Sequence, residues 1–408
     1  MNDTLKKILG TLITVILLGG IIYFRAQLNS AGFNAENSNF SFFWLAGRMV
    51  LDGENPYDQT QYLAGHDTYE IEWRPNKIFP YPLPLAIFCI PLGFFSVYDA
   101  YFLWTVISLM ITAITIYTLL KHWDTTAHRR LLIPIFIFML FFGPNYLTLR
   151  TGAISALSLL TILIAILLLE KNQSMLAGIV LSLTMLKPPQ GLTILLLAGI
   201  WFLGRRDWKA IGGVAIGGVG LVLIGMLQDP QWIIKFAGAS EAVMDRTLGI
   251  HSNVWAYSYL ACNGSSPCST LLGTTGSLIL LGLGGLYLWQ TRPQGTAPVQ
   301  VTAWEAFNII IPVAFVSTIY LWSYDQLPYI IPIVWITGTL VKNSKSYIYA
   351  FLFLITLDLF SLYALLQHAE ISRDLWSLGN TLIVLGMVLW LYHRRANSSV
   401  EKDIPVHA

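Results

Sequence analysis

The chain has 408 residues, 55% of them hydrophobic and only 11% charged, and a formal net charge of +2. Soluble domains carry about 25% charged residues, so the composition excludes an ordinary soluble protein, and the net charge is too small to indicate a partner. Apolar runs of roughly 17 residues or more recur, each long enough to cross a bilayer. Because these runs are continuous rather than alternating, they predict an all-α polytopic membrane protein and exclude a barrel.

The apolar segments also predict an orientation. Basic pairs such as Lys6-Lys7, Arg205-Arg206 and Arg394-Arg395 mark cytoplasmic ends, which places both termini in the cytoplasm. Thirteen segments are candidates, whereas termini on the same side require an even number of crossings. One candidate must therefore fail to cross: either 78–95, which prolines interrupt, or the short segment 175–187. We expect about twelve membrane helices, drawn from 8–24, 78–95, 98–120, 131–149, 153–169, 175–187, 189–203, 210–227, 270–289, 304–322, 327–340, 347–366 and 376–393.

Two long loops are predicted on the external side of a single domain, residues 1–393, which a cytoplasmic tail, 394–408, follows. The first loop, 25–77, contains an amphipathic stretch whose apolar side chains can lie on lipid, so we expect an interfacial helix over Phe40 to Leu51. Asn55-Pro56-Tyr57-Asp58 then predicts a turn. The second loop is 228–269. We expect a multi-pass protein of a prokaryotic plasma membrane.

The cysteines leave two readings open. Cys262 and Cys268 lie in the second loop, where an oxidising compartment would allow a disulfide; the alternative is two free thiols. Cys89 lies in an apolar segment, where a free cysteine behaves as a small buried hydrophobe.

Short motifs follow one another along the chain in a definite order. The first loop holds Asn39-Phe40, Trp44, Ala46-Gly47 and the Gly-Glu-Asn-Pro-Tyr-Asp segment 53–58. Further on come Tyr81-Pro82-Leu83-Pro84, Pro91-Leu92, Trp104, Thr151-Gly152-Ala153, Ala177-Gly178, Leu186-Lys187-Pro188 and the aromatic segment 322–326. Over about residues 36 to 340, this order resembles glycosyltransferase family 87, whose members have a GT-C fold.

The resemblance implies an inverting hexosyltransferase. It would move a hexose, with mannose as the expected sugar, from a polyprenyl-phosphate donor to a lipid or glycan acceptor at the external membrane face. We expect no metal, no other cofactor and no nucleic-acid partner. The chain departs from the family twice: Asn39 stands where the family has the aspartate taken as the catalytic base, and its Gly-Gln pair reads Gly152-Ala153 here.

Such a reaction needs a carboxylate to take the acceptor's proton. The catalytic candidates lie in the first loop. Glu36 is three residues from Asn39, and Asp58 ends the better-matched motif. The alternative for Glu36 is an ordinary solvated acid, and for Asp58 it is a turn residue.

The departing phosphate needs cations or amide dipoles. Lys187 is the first candidate, because a lysine at the end of an apolar segment is costly in a membrane unless it meets water or an anion. The alternative is a lysine that reaches the headgroups. Arg150, at the end of segment 131–149, is a second candidate with the same alternative.

The predicted substrate-binding set extends to the sugar. Asp325 lies amid Trp322 and Tyr324, and aromatic faces with a carboxylate suit a sugar ring, although tryptophan and tyrosine also gather at membrane interfaces. Tyr81, in the proline-rich motif, and His251, in the second loop, complete the set.

Two other functions remain open. A transporter of lipids or polyprenyl-linked sugars would favour internal repeats with paired broken helices, which the sequence does not display. A catalytically inactive scaffold of envelope-glycan assembly is compatible with Asn39 in place of the aspartate.

Overall fold

The computed structural model describes residues 38–71, 78–123, 125–291, 301–344, 347–371 and 374–400. No residue in these ranges lies in a β-strand, which confirms the all-α prediction. The predicted first span, 8–24, and Glu36 lie outside the described residues. The α-helices are α1 (Asn39–Leu51), α2 (Gln59–Thr68), α3 (Leu83–Phe88), α4 (Ile90–Gly93), α5 (Val97–Trp123), α6 (Thr125–Phe141), α7 (Gly143–Thr151), α8 (Ser155–Glu170), α9 (Ser174–Ser182), α10 (Pro188–Gly204), α11 (Trp208–Gln228), α12 (Trp232–Thr247), α13 (Val254–Ala261), α14 (Ser266–Gln290), α15 (Ala303–Ser317), α16 (Ile330–Ser344), α17 (Tyr347–Ile371) and α18 (Leu378–Val400).

Short 3₁₀ segments connect several of these helices. They are Leu183–Leu186, Ser323–Tyr329 and Leu375–Ser377. Helix α18 continues to Val400, so the first part of the predicted cytoplasmic tail is helical.

Within the described part of the chain, five helices are long and apolar enough to cross a membrane. A sixth span results if Leu131–Phe141 and Gly143–Thr151, which meet at 57°, are counted together. The chain is therefore a multi-pass membrane protein. The five helices are Val97–His122, Trp208–Gln228, Ser266–Gln290, Tyr347–Gln367 and Leu375–Arg394.

The expectation of about twelve spans is wrong by this measure. Four apolar helices, Ser155–Glu170, Ser174–Leu186, Pro188–Gly204 and Ala303–Ser317, have only 10–17 residues. At 1.5 Å per residue, a helix of that length reaches at most about 26 Å, whereas the bilayer core is about 30 Å thick.

Both segments that were candidates for incomplete crossing are interrupted. Segment 78–95 contains the six-residue α3 and the four-residue α4 instead of one long helix. Segment 175–187 contains most of α9 followed by the 3₁₀ turn Leu183–Leu186. The prolines of segment 78–95 break helical hydrogen bonding, and segment 175–187 ends just before Pro188.

The chain divides into two compact units, residues 1–79 with 85–110 and residues 80–84 with 111–408. In the first unit, α1 packs closely on the segment that contains α4. Trp44 Nε1 donates to the carbonyl oxygen of Phe95 at 3.1 Å. A Cβ added to Gly47 would lie 2.6 Å from the carbonyl oxygen of Cys89, so this approach requires glycine. The single domain of residues 1–393 stays a prediction.

The predicted helix over 40–51 is present as α1. Its apolar side chains, however, are buried in protein: Phe40, Phe43 and Trp44 are at most 3% exposed. The structure therefore does not leave them to lie on lipid, because the neighbouring segments of the first unit cover them. The predicted turn at Asn55 is also present, since Asn55 Oδ1 accepts from the Tyr57 backbone N–H at 2.9 Å.

In the second unit, α9 and α11 pack backbone against backbone. A Cβ on Gly178 would lie 2.1 Å from the carbonyl oxygen of Ala210, and a Cβ on Gly213 would lie 2.1 Å from that of Met175. Small residues permit such close helix contacts in membranes. Gly178 and Gly213 therefore serve the packing of α9 on α11.

The cysteine alternatives are resolved by the structure. Cys262 and Cys268 form a disulfide that joins the end of α13 to the start of α14. Cys89 is a free, buried thiol, as expected.

Candidate functional site

A buried ion pair lies in the second unit. Lys187 Nζ donates to Asp325 Oδ1, although the two residues are 138 positions apart. The lysine side chain is 4% exposed and the aspartate side chain is fully buried. Lys187 stands between the 3₁₀ turn Leu183–Leu186 and α10, whose first residue is Pro188. Proline is tolerated at a first helical position, so the helix break that places Lys187 follows from the sequence.

The carboxylate of Asp325 is fully engaged. In addition to Lys187, Oδ1 accepts from Ser155 Oγ at 3.1 Å, and Oδ2 accepts from the Trp322 backbone N–H at 3.0 Å. Both oxygens therefore already hold donors. This arrangement suits a fixed counter-ion for Lys187 better than a base that must receive a substrate proton.

Aromatic rings surround the ammonium group of Lys187. Its Nζ lies 5.1 Å from the ring centre of Tyr324 and 5.9 Å from that of Tyr320, within the range of a cation–π interaction. The ring of Trp322 stacks on Tyr324 with an interplanar angle of 16°, and Trp322 Nε1 donates to Tyr320 Oη at 2.8 Å. The three rings thus form one set whose orientation is tied to the ion pair.

His251 packs against the same rings. Its ring centre lies 4.4 Å from that of Tyr320 and 5.0 Å from that of Trp322. Its Nε2 lies 3.0 Å from Thr247 Oγ1, at the end of α12. Burial, with a smaller effect from the charge of Lys187, lowers the pKa of His251 to about 3. The imidazole is therefore neutral at physiological pH and is a weak proton acceptor.

The segment that carries Tyr324 and Asp325 is anchored to two helices. Thr148 Oγ1, on α7, donates to the carbonyl oxygen of Tyr324 at 3.0 Å. On the other side, Asn380 Nδ2, on α18, donates to Gln326 Oε1 at 3.2 Å. These bonds fix the 3₁₀ segment Ser323–Tyr329, and with it the position of the carboxylate.

The structure brings together half of the site residues that the sequence predicted. We name Lys187, Asp325, Tyr320, Trp322, Tyr324 and His251 the Lys187 cluster; of these, only Tyr320 was not among the predicted site residues. Arg150 is exposed at the end of α7, whose Thr148 contacts the cluster. Tyr81 is half-buried just before α3, and its role stays a prediction.

The catalytic candidates belong to the first unit or lie outside the described residues, as Glu36 does. Asp58 is exposed, and its Oδ1 accepts from the backbone N–H groups of Thr60 and Gln61 at 2.9 and 3.0 Å. It therefore caps the N-terminus of α2, a structural use of an aspartate at this position. Asn39 is the first residue of α1 and is half-buried. The catalytic roles of Glu36, Asp58 and Asn39 stay predictions.

Sequence reasoning missed Ser155 and Asp374. Ser155 begins α8 two residues after Ala153 of the Gly152-Ala153 motif, so its neighbourhood was noted but its hydroxyl was not. Asp374 precedes Ser377 by three residues, a spacing typical of side-chain capping, and Ser377 Oγ donates to it at 2.8 Å. The local patterns were visible, whereas their long-range partners were not.

Comparisons with known sequences and structures give one match. Residues 79–318 match the sequence model described as Glycosyltransferase family 87, which is more than half of the chain. The matched range contains Tyr81, Arg150, Lys187 and His251, but not Asp325 or the first-loop residues. No curated protein and no solved structure matches the chain.

Proposed function

Since the chain belongs to glycosyltransferase family 87, we propose that it transfers a hexose, with mannose as the expected sugar, from a polyprenyl-phosphate donor to a lipid or glycan acceptor. The transfer takes place at the external face of the membrane. The sugar, the donor and the side of the membrane are all part of this proposal.

The observation that carries the proposal is the buried Lys187–Asp325 pair among aromatic rings. A lysine held in the interior of a membrane protein is a candidate functional residue, because placing a charge there is costly. Lys187 has three N–H donors, so it can hold an anionic phosphate oxygen while it remains bonded to Asp325. Tyr320, Trp322 and Tyr324 offer apolar faces to the sugar ring.

The proposed reaction is a single displacement. The acceptor hydroxyl oxygen attacks the anomeric carbon, the bond from that carbon to the phosphate oxygen breaks, and the acceptor's proton passes to a carboxylate. The polyprenyl phosphate leaves as an anion, whose charge Lys187 stabilises. Asp325 acts as the counter-ion that positions Lys187, and the carboxylate that takes the proton is that of Glu36 or Asp58.

The disulfide indicates which end of α14 is external. Disulfides persist in oxidising compartments, so the start of α14 near Cys268 is assigned to the external side. Ser277 Oγ, further along α14, donates to the carbonyl oxygen of Ser317 at 2.7 Å. The next residue, Thr318, donates through Oγ1 to the carbonyl oxygen of Pro189 at 2.6 Å. The Lys187 region would then lie about 15 Å from the external end of α14, at 1.5 Å per residue.

The test measures donor binding and sugar transfer by the purified protein in lipid nanodiscs, with radiolabelled polyprenyl-phosphate mannose. Lys187→Ala should lower the transfer rate about 100- to 1,000-fold, the usual effect of removing one charge-stabilising donor, and should weaken donor binding. Lys187→Arg should restore part of both, because it retains the charge.

Lys235→Ala is the matched control. Lys235 also pairs with an aspartate, Asp229 at 2.6 Å, but its side chain is 38% exposed, and the variant should transfer at the wild-type rate. Should Lys187→Ala alone fail to fold, the Lys187→Ala/Asp325→Ala double variant removes the uncompensated charge. Folded protein that lacks Lys187 yet binds donor as tightly as wild type would contradict the proposed role.

A further inference from the structure

Asp374 is a buried carboxylate that the proposed reaction does not use. It is 3% exposed and precedes the 3₁₀ segment Leu375–Ser377. Burial raises its pKa to about 7, so an ionised side chain is disfavoured there. A residue of this kind is retained at a cost, and its contacts indicate what it does.

The side chain and the backbone of Asp374 hold two different segments. Its Oδ2 accepts from the Ser323 backbone N–H, and its backbone N–H donates to the carbonyl oxygen of Ile250 at 2.7 Å. Its Oδ1 accepts from Ser377 Oγ at 2.8 Å, which orients the carboxylate. Asp374, which immediately precedes the 3₁₀ segment Leu375–Ser377, therefore bonds to both segments.

The two segments are held at Ser323 and Ile250, each of which is next in sequence to a residue of the Lys187 cluster. Ser323 follows Trp322, whose backbone N–H donates to Asp325 Oδ2 at 3.0 Å. Ile250 precedes His251, whose ring packs on Trp322. A shift at either segment would move the rings that enclose the ammonium group.

We propose that Asp374 is a positioning residue for glycosyl transfer, which holds the Trp322–Asp325 segment in register with the His251 segment. Asp374 contacts neither substrate nor the reacting atoms in this proposal, which rests on the proposed function for its effect on the rate. The placement of Trp322 is independent of that function.

The substitutions separate these contacts. Asp374→Ala removes the bonds to Ser323 and Ser377 and keeps the backbone bond to Ile250. Asp374→Asn can still accept from the Ser323 N–H through Oδ1 while its amide donates to Ser377 Oγ. The matched control is Asp207→Ala, because Asp207 caps only its own helix, α11, through the Ala210 N–H at 3.1 Å.

A second variant removes the same bond from the opposite side. Ser323→Pro lacks the N–H that donates to Asp374. Ser323 is the first residue of its 3₁₀ segment, and Trp322 before it has an extended backbone with ψ of 161°. Both conditions tolerate proline. We therefore expect Ser323→Pro to fold, even in the case that Asp374→Ala does not.

The experiment combines kinetics with a spectroscopic probe. Full-length protein is labelled with fluorotryptophan, and Trp322→Phe identifies the resonance of Trp322. Asp374→Ala and Ser323→Pro should shift that resonance and lower kcat about 10- to 100-fold, the effect of a misplacement near 1 Å, with a smaller change in donor KM. Asp374→Asn should restore both, and Asp207→Ala should change neither.

The outcomes are distinguishable. If Asp374→Ala only lowers the melting temperature, while the Trp322 resonance and kcat of the folded protein match wild type, the positioning role is overturned. An unshifted resonance with a reduced kcat also overturns it. If wild type transfers no hexose, the proposed function fails, and the Trp322 resonance alone then decides whether Asp374 places this segment.

Discussion

Each unit of the molecule has an ion pair with an aromatic neighbour, and the two pairs differ mainly in their surroundings. In the first unit, Arg48 and Asp52 are four residues apart, and their side chains are 32% and 36% exposed. In the second, Lys187 and Asp325 are 138 residues apart and their side chains are buried. Arg48 lies 5.6 Å from the ring centre of Tyr69, a distance similar to that from Lys187 to Tyr324.

The difference shows that burial, more than contact geometry, sets what an ion pair contributes. Water competes for an exposed pair, which is worth about 0.2–1 kcal/mol. Breaking a buried pair leaves one charge without a partner and costs about 3–5 kcal/mol. Because the two partners of the buried pair are far apart in the sequence, the pair links distant segments of the fold.

The largest expected effect concerns the catalytic base, because Asn39 stands where the family has an aspartate. It would break the comparison, since the unit with the exposed ion pair would then have the greater chemical role. Neutralising the acid that takes the acceptor's proton should lower the transfer rate about a hundred- to ten-thousand-fold. Either Glu36→Gln or Asp58→Asn should show this loss while still binding donor, measured by single-turnover transfer. Asparagine caps a helix as well as aspartate, so Asp58→Asn keeps the start of α2 intact.

Asn39→Asp is the companion variant, and it should keep activity or raise it, since it restores the acid that the family pattern has. Full activity in both neutralised variants would show that the base is not in the first loop. If wild type is inert and Asn39→Asp alone switches transfer on, the inactive scaffold becomes the better reading of the native chain.

The next effect tests the buried pair itself. Lys187→Ala or Asp325→Ala should each lower the free energy of unfolding by about 3–5 kcal/mol, because the remaining partner is a buried, uncompensated charge. The Lys187→Ala/Asp325→Ala double variant should lose less than the sum of the two single losses, because it leaves no uncompensated charge. Denaturant unfolding in one detergent gives the double-mutant cycle, and strictly additive losses would show that the two residues are not coupled.

The smallest expected effect sharpens the comparison and concerns the exposed Arg48–Asp52 pair. Asp52→Asn removes the charge that faces Arg48 and should change the free energy of unfolding by about 0.2–1 kcal/mol. Raising the salt concentration should reduce the difference between this variant and wild type, because salt screens exposed charges. A loss as large as that of Asp325→Ala, measured in the same way, would refute the argument from burial.

Local features of the structure could be predicted from the sequence. Helix α1 and the Asn55 turn follow from short-range patterns of apolar and polar residues. Lys187 was identified because a lysine beside Pro188 in an apolar segment breaks the pattern around it. Such information is contained within a few residues of the feature it predicts.

Long-range features could not be predicted in this way. Nothing near Lys187 specifies that Asp325 will neutralise it, and nothing near Asp374 points to Ser323 or Ile250. The number of spans was overestimated for a related reason: a hydropathy window measures the apolar content of a segment, whereas the length of a helix depends on where the fold begins and ends it. Which residues meet is decided by the packing of the whole unit.

The distance along the chain between Lys187 and Asp325 also has a consequence for biosynthesis. At about 5–20 residues per second, the ribosome needs roughly 7–28 seconds to add the 138 residues that separate them. During that interval the nascent lysine has no aspartate, so water, lipid headgroups or an insertase must hold its charge. We expect Lys187→Cys to react with a thiol reagent in nascent chains arrested near residue 300 and to be protected in the completed protein. The interior of the second unit would then close only late in synthesis.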